Sequence, residues 1–221
     1  MKEFDKLVET IKILRSPKGC PWDRAQKISN YKKYLLEETY ELVDEIDSKD
    51  AKATKEELGD LFLILIVIAE IFKEKGKFSL NEALDKINEK LIARHPHVFS
   101  SKKLKTAKEV LSYWINSKAK IKKRKTIKDR LPLVAPSLLL ADIFFKEYNH
   151  IHERENTKVE SKKTFNRIIK ILKLCAKSKD KGRLLAEINF DICKLAFLYK
   201  LDLESLLRKK VFTEAKGALY K

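Results

Sequence analysis

At 221 residues the chain is long enough to bury a core as one large domain or two small ones. Its 44% hydrophobic and 37% charged content excludes a disordered chain, and only five glycines and five prolines argue against a turn-rich all-β architecture. The formal net charge of +17 is uneven: residues 1–100 hold 18 lysines and arginines against 19 acids, which leaves 31 against 13 for the rest.

Helical periodicity runs through the whole chain and no segment alternates as a strand, so an all-α fold is expected. Residues 2–14 place Phe4, Leu7, Ile11 and Leu14 on one helical face. The stretch MKEFDKLVET carries acids from its third residue and no apolar run, so no secretory signal is expected. SPKGCPWD then breaks the helix, with Pro17, Gly19 and Pro21 close together. A second helix is expected over about 26–47 and a third over about 52–73. The third contains LFLILIVIA (Leu61 to Ala69), far short of the roughly 20 residues that a bilayer needs, so it reads as a buried central helix.

Gly76 should close the third helix, and SLNE (Ser79 to Glu82) reads as a capping box that opens a fourth. Pro96 in RHPHVF should stop that one. A fifth helix over about 107–123 passes into KAKIKKRKTIKDR, the most basic stretch. LPLVAP is the best linker signal, which gives domains 1–125 and 126–221. Further helices are expected over about 137–148, 161–177, 182–198 and 202–214, with HERENTKVESKK (152–163) as a polar linker. Cys20, Cys175 and Cys193 have no C-x-x-C spacing, which suits a reducing cytoplasm rather than a disulfide framework.

One constellation stands out. Glu38 and Glu41 are three apart on the second helix, and Glu57 and Asp60 are three apart on the third. A short connection makes these helices neighbours, so four carboxylates would converge. Like charges that close must protonate, splay or share a cation, and a hard divalent ion such as Mg²⁺ suits oxygen ligands. Two plainer readings stay open: a solvated acidic face, and a capping box from Thr54 to Glu57.

The order EETYE then EELGD resembles the E-E-x-x-E … E-x-x-D signature of the all-α nucleoside triphosphate pyrophosphohydrolases. LRSPKGCPWDRAQ resembles L-R-x-P-x-G-C-P-W-D-x-x-Q, and KLIARHPHVF resembles K-x-x-x-R-H-P-H-V-F, both of the MazG family. YWINSKAK and LPLVAPSLLLA extend the likeness more weakly. The resemblance implies that Glu38, Glu41, Glu57 and Asp60 are Mg²⁺ ligands, with Mn²⁺ as the substitute ion. Glu37 and Glu38 become the catalytic acids, Glu37 as a supporting or water-orienting group. Lys90 and Arg94 would meet the triphosphate, and Trp22 either stacks on the base or packs its own turn. The implied reaction is hydrolysis of nucleoside triphosphates to monophosphates and pyrophosphate by a homodimer. Cys20, His95 and His97 read as structural groups rather than nucleophile or ligands.

The second half departs from the family pattern. VESKKTFNRI keeps only Glu160 where E-E-x-x-E would stand, and RLLAEINFDICKLAFLY offers Glu187 and Asp191 at a spacing of four. FFKEYNHIHE stands where the family has G-F-D-W. Residues from about 132 therefore read as a decayed repeat unable to bind metal. The basic excess is either a solubilising surface or a source of weak, non-specific nucleic-acid contact through Lys118–Arg130. Two other functions stay open: a sibling specific for dUTP or a phosphoribosyl nucleotide, and a non-catalytic nucleic-acid-binding or regulatory protein.

Overall fold

The computed structural model describes residues 2–121, 126–132, 134–151 and 157–217. Every regular element among the described residues is a helix, in agreement with the all-α expectation. They form two compact units, Met1–Lys103 and Leu104–Lys221. The division falls ahead of the 125/126 boundary read from the linker signals, so the fifth long helix groups with the second unit.

The first unit contains α1 (Lys2–Arg15), α2 (Pro21–Ala25), α3 (Ile28–Ser48), α4 (Ala51–Glu74), α5 (Leu80–Arg94) and α6 (Pro96–Phe99). Its core is Ile11 of α1, Tyr31 of α3, and Ile64, Ile66, Val67 and Ile71 of α4, with Phe4, Leu7 and Leu35 packed around them. The apolar run of α4 is not buried all round. Phe62 and Leu65 are 43% and 45% exposed in the single chain, so one side of that helix stays uncovered.

Local chemistry sets each boundary. Lys49 turns left-handed at the end of α3 (φ 64°), and Asp50 caps α4 by accepting from the backbone N–H groups of Lys52 and Ala53 at 2.8 and 3.1 Å. A two-residue connection thus folds α3 back along α4. It also settles one reading, because the cap is Asp50 and Glu57 lies well inside the helix; no Thr54–Glu57 capping box forms. Gly76 ends α4 at φ +62°, and Ser79 and Glu82 form the expected capping box of α5. Pro96 stops α5 at Arg94 and opens the short α6.

The second unit contains α7 (Ala107–Ile121), α8 (Ser137–Ile151), α9 (Thr157–Cys175), α10 (Lys181–Tyr199) and α11 (Leu203–Gly217), with a 3₁₀ turn at Lys128–Arg130. Packing of α8 on α10 is aromatic: Phe145 stacks on Phe197 and lies tilted against Phe190, at centroid distances of 6.0 and 4.9 Å. Helix α9 begins at Thr157, earlier than the expected linker allowed. Glu160 explains this, since it pairs with Lys163 one turn on and with Lys194 of α10 at 2.8 Å, so the polar segment is a helical ion-pair face. Most of the basic stretch Lys118–Arg130 lies outside the residues whose side chains are described.

Candidate metal and nucleotide site

Helices α3 and α4 bring the predicted acids together. One carboxylate oxygen from each of Glu38, Glu41 and Glu57 lies within 4.8 Å of the others. Glu41 is exposed, whereas Glu38 and Glu57 are half-buried. The Glu38 carboxyl is held above its ordinary range, first by burial and then by repulsion from Glu41, Asp60 and Glu57. Glu57 is raised in the same direction by desolvation, Glu41 and Asp60. Asp60 therefore belongs to the same field although it stands outside the tight group of three. Glu37, one residue away, faces differently and pairs with Lys33 at 3.2 Å.

No ion pair joins a lysine or arginine to Glu38, Glu41 or Glu57 among the described residues. A mutually repelling set of carboxylates with three oxygens this close fits a divalent cation, which would reverse the sign of their interaction.

The SPKGCPWD segment is built against this cluster. Gly19 donates to the Ser16 carbonyl at 2.8 Å, and a Cβ on it would sit 2.2 Å from the carbonyl oxygens of Ile13 and Leu14. Only glycine lets the turn fold so closely onto the end of α1. Cys20 is the N-cap residue of α2, with Pro21 in the first helical turn. Arg15 locks the assembly: its Nε and Nη2 donate to Glu74 at 2.7 and 2.8 Å, and its Nη1 donates to the Asp23 carbonyl. Its side chain is 6% exposed.

This arrangement leaves a cavity of about 210 Å³ between α1, α2, α3 and α4. Trp22 and Asp23 line one side, Tyr31, Tyr34 and Glu38 another, and Ile64 and Val67 the floor. Trp22 is 58% exposed and so stands at the rim rather than packing into the core.

Lys90 and Arg94 occupy the last turns of α5, the first half-buried and the second 8% exposed. The Nδ1 of His95 lies 2.6 Å from the Leu91 carbonyl, and its ring centroid is 5.7 Å from that of His97, which places both histidines at the α5–α6 corner. Sequence reasoning missed Arg15, Tyr31 and Tyr34. The tyrosines had a signal, because 31, 34 and 38 form one helical stripe. Arg15 had one too, as the R of the L-R-x-P match, but its partner Glu74, 59 residues away, could not be read from it.

Residues 26–99 match the MazG nucleotide pyrophosphohydrolase domain. A Thermotoga maritima protein named nucleoside triphosphate pyrophosphohydrolase/pyrophosphatase MazG is 36% identical over 209 residues, covering 93% of this chain and 80% of its own. The chain belongs to the MazG family. Other relatives align over a smaller share of the chain. The Escherichia coli nucleoside triphosphate pyrophosphohydrolase is 36% identical over 145 residues, 64% of this chain and 55% of its own length. The Mycobacterium tuberculosis protein of that name is 31% identical over 140 residues, 62% and 43%. The MazG domain match contains Glu38, Glu41, Glu57 and Asp60 together with Lys90 and Arg94. It begins just after α2, so the Trp22 side of the cavity lies upstream of it. Among the described residues no helix is long and apolar enough to cross a membrane.

Proposed function

We propose that this MazG-family pyrophosphohydrolase cleaves ribo- and deoxynucleoside triphosphates between the α- and β-phosphates in the presence of Mg²⁺. Water adds to the α-phosphorus, the bond to the bridging oxygen breaks, and nucleoside monophosphate and pyrophosphate leave. The observation that carries this reading is the convergence of Glu38, Glu41 and Glu57, with no lysine or arginine ion-paired to them among the described residues. Those three, with Asp60, would hold the ion, and Mn²⁺ could replace it. When bound, Mg²⁺ would neutralise charge on the phosphoryl oxygens and lower the pKa of the attacking water. Glu37, beside Glu38, would orient that water once freed from Lys33. Lys90 and Arg94 would meet the β- and γ-phosphates, and the planar guanidinium suits paired oxygen contacts. Trp22 at the rim would face the base.

In the same reading the catalytic domain is 1–125 and the basic domain 126–221 is a silent repeat. Three of its acids are already paired, Asp191 and Glu187 with Arg167 at 2.7 and 3.2 Å and Glu160 with Lys194 at 2.8 Å. The uncovered Phe62 and Leu65 support a homodimer. Reduced cysteines suit the cytoplasm. Segment Lys118–Arg130 would add only weak phosphate contacts to nucleic acid, lost as salt rises.

A panel of ribo- and deoxynucleoside triphosphates with Mg²⁺, scored for pyrophosphate, tests the reading. Wild type should release pyrophosphate, and Glu38→Gln should lose at least about 100-fold, since removing even outer-shell partners of a metal costs 10–100-fold. No release from wild type would refute the activity. Equal rates in both proteins would refute the site.

A further inference from the structure

We propose that the outer face of α9 is a docking surface for single-stranded nucleic acid, with a row of lysines on its phosphates and Phe165 stacked on a base. The inference is independent of the hydrolase reading, and it concerns a different stretch of chain from Lys118–Arg130.

Charge is the first support. Helix α9 carries six basic residues and one acid. Lys162, Asn166, Lys170 and Lys173 recur at each turn and are exposed, with Lys177 just past the helix end. They lie opposite Ile168 and Ile171, which pack on Leu184 and Ile188 of α10. From Lys162 to Lys173 the row runs about 16 Å at 1.5 Å per residue. The acids of the two helices do not answer it. Glu160 is taken by Lys163 and Lys194, and Glu187 and Asp191 by Arg167. Among the described residues no ion pair involves Lys162, Lys170, Lys173 or Lys177.

The make-up of the row is the second support. It holds lysines and no arginine, because the arginine of α9 is engaged by α10. A planar guanidinium suits the paired oxygens of a carboxylate. Ammonium groups at one per turn act as point charges, which favours a repeating phosphodiester over an acidic peptide.

The apolar border is the third. Phe165, Ile169 and Leu172 follow one another at i, i+4 and i+7 along one edge of the row, and each stands about half exposed. A face that served solubility alone would carry no such stripe. A duplex hides the faces of its bases, so an exposed ring beside a line of cations selects a single strand. Phosphate contacts and stacking are both tolerant of sequence, so the surface reads the polymer and not the base order.

The full-length protein is titrated into a labelled oligouridylate, an oligodeoxythymidylate of equal length and a duplex of that length, followed by anisotropy at several salt concentrations. Both single strands should bind with micromolar affinity at low salt, and the duplex more weakly. A tighter RNA or a tighter DNA then tells which strand the face prefers. Each phosphate contact adds about 0.7 to the salt slope of a single strand. Replacing Lys162, Lys170, Lys173 and Lys177 by Gln should therefore lower the slope by about 3 and weaken binding at least about tenfold. Phe165→Leu should weaken single strands by about tenfold and leave the duplex unchanged. The wild-type salt slope and strand preference read the surface even where the four-lysine variant folds poorly. Pyrophosphate release should be equal in the three proteins, since no residue of the carboxylate site lies on α9. Strand binding by a wild type that releases no pyrophosphate overturns the hydrolase and spares this surface. Undetectable binding by wild type at low salt, or undiminished binding by the four-lysine variant, would overturn the proposal. So would binding to phosphatidylserine vesicles without any to the oligonucleotides, which assigns the face to an anionic membrane. Self-association lost in Phe165→Leu, again without oligonucleotide binding, would assign it to a second copy of the chain.

Discussion

In α3 and α4 the acids Glu38, Glu41 and Glu57 converge on one another, and burial and mutual repulsion raise Glu38 and Glu57. In α9 and α10 the acids Glu160, Glu187 and Asp191 face lysines and arginines instead. Asp191 is the extreme case: its side chain is 2% exposed, Arg167 donates to Oδ1 at 2.7 Å, and Oδ2 is without a hydrogen-bond partner among the described residues. Desolvation still holds its carboxyl above the usual range despite the guanidinium. Arg183 extends the network by donating to Glu187 at 2.7 Å. Both helix pairs are the best-packed pair of their unit, and both place acids on facing turns. The first leaves its charges unanswered and therefore suits an external cation. The second answers them with its own side chains, which makes the ion redundant there.

Substitutions that exchange these two conditions break the comparison, and their expected effects fall in order. Loss of at least about 100-fold in pyrophosphate release for Glu38→Gln is the largest. Next is Arg167→Ala, which strips the counter-charge from a buried carboxylate. Breaking a fully buried pair costs about 3–5 kcal/mol, and because Arg167 is half exposed the expected loss is nearer 2 kcal/mol by chemical denaturation. Catalysis in the first unit should be unchanged by it. Smaller again is Asp50→Ala, which removes the cap on two N–H groups of α4 and should cost about 1 kcal/mol. The smallest is a gain. Lys49 holds a left-handed backbone at φ 64°, so Lys49→Gly should stabilise the α3–α4 connection by up to about 1 kcal/mol in thermal melts.

Much of this was legible in the sequence because it depends on local rules. Apolar spacing located α1, α3, α4 and α5 to within a few residues, and Gly76, Ser79 with Glu82, and Pro96 marked ends that the backbone respects. The carboxylate cluster was legible because i, i+3 pairs on two helices joined by a short turn have few ways to avoid each other. What sequence could not supply was long-range pairing. Glu160 read as linker and begins to make sense only against Lys194 on the next helix. The cavity depends on Arg15 reaching Glu74, and no periodicity connects those two positions. The apolar run of α4 read as a central helix with more to bury than one small bundle supplies, and Phe62 and Leu65 stay uncovered in the single chain.

Calorimetric titration of the full-length chain with Mg²⁺, repeated with Mn²⁺, tests the contrast between the two helix pairs most directly. Binding should be present in wild type, lost in the double variant Glu38→Gln and Glu57→Gln, and unaltered in Glu160→Gln with Glu187→Gln. Binding that survives in the first double variant, or disappears in the second, would contradict the assignment of the cation to α3 and α4.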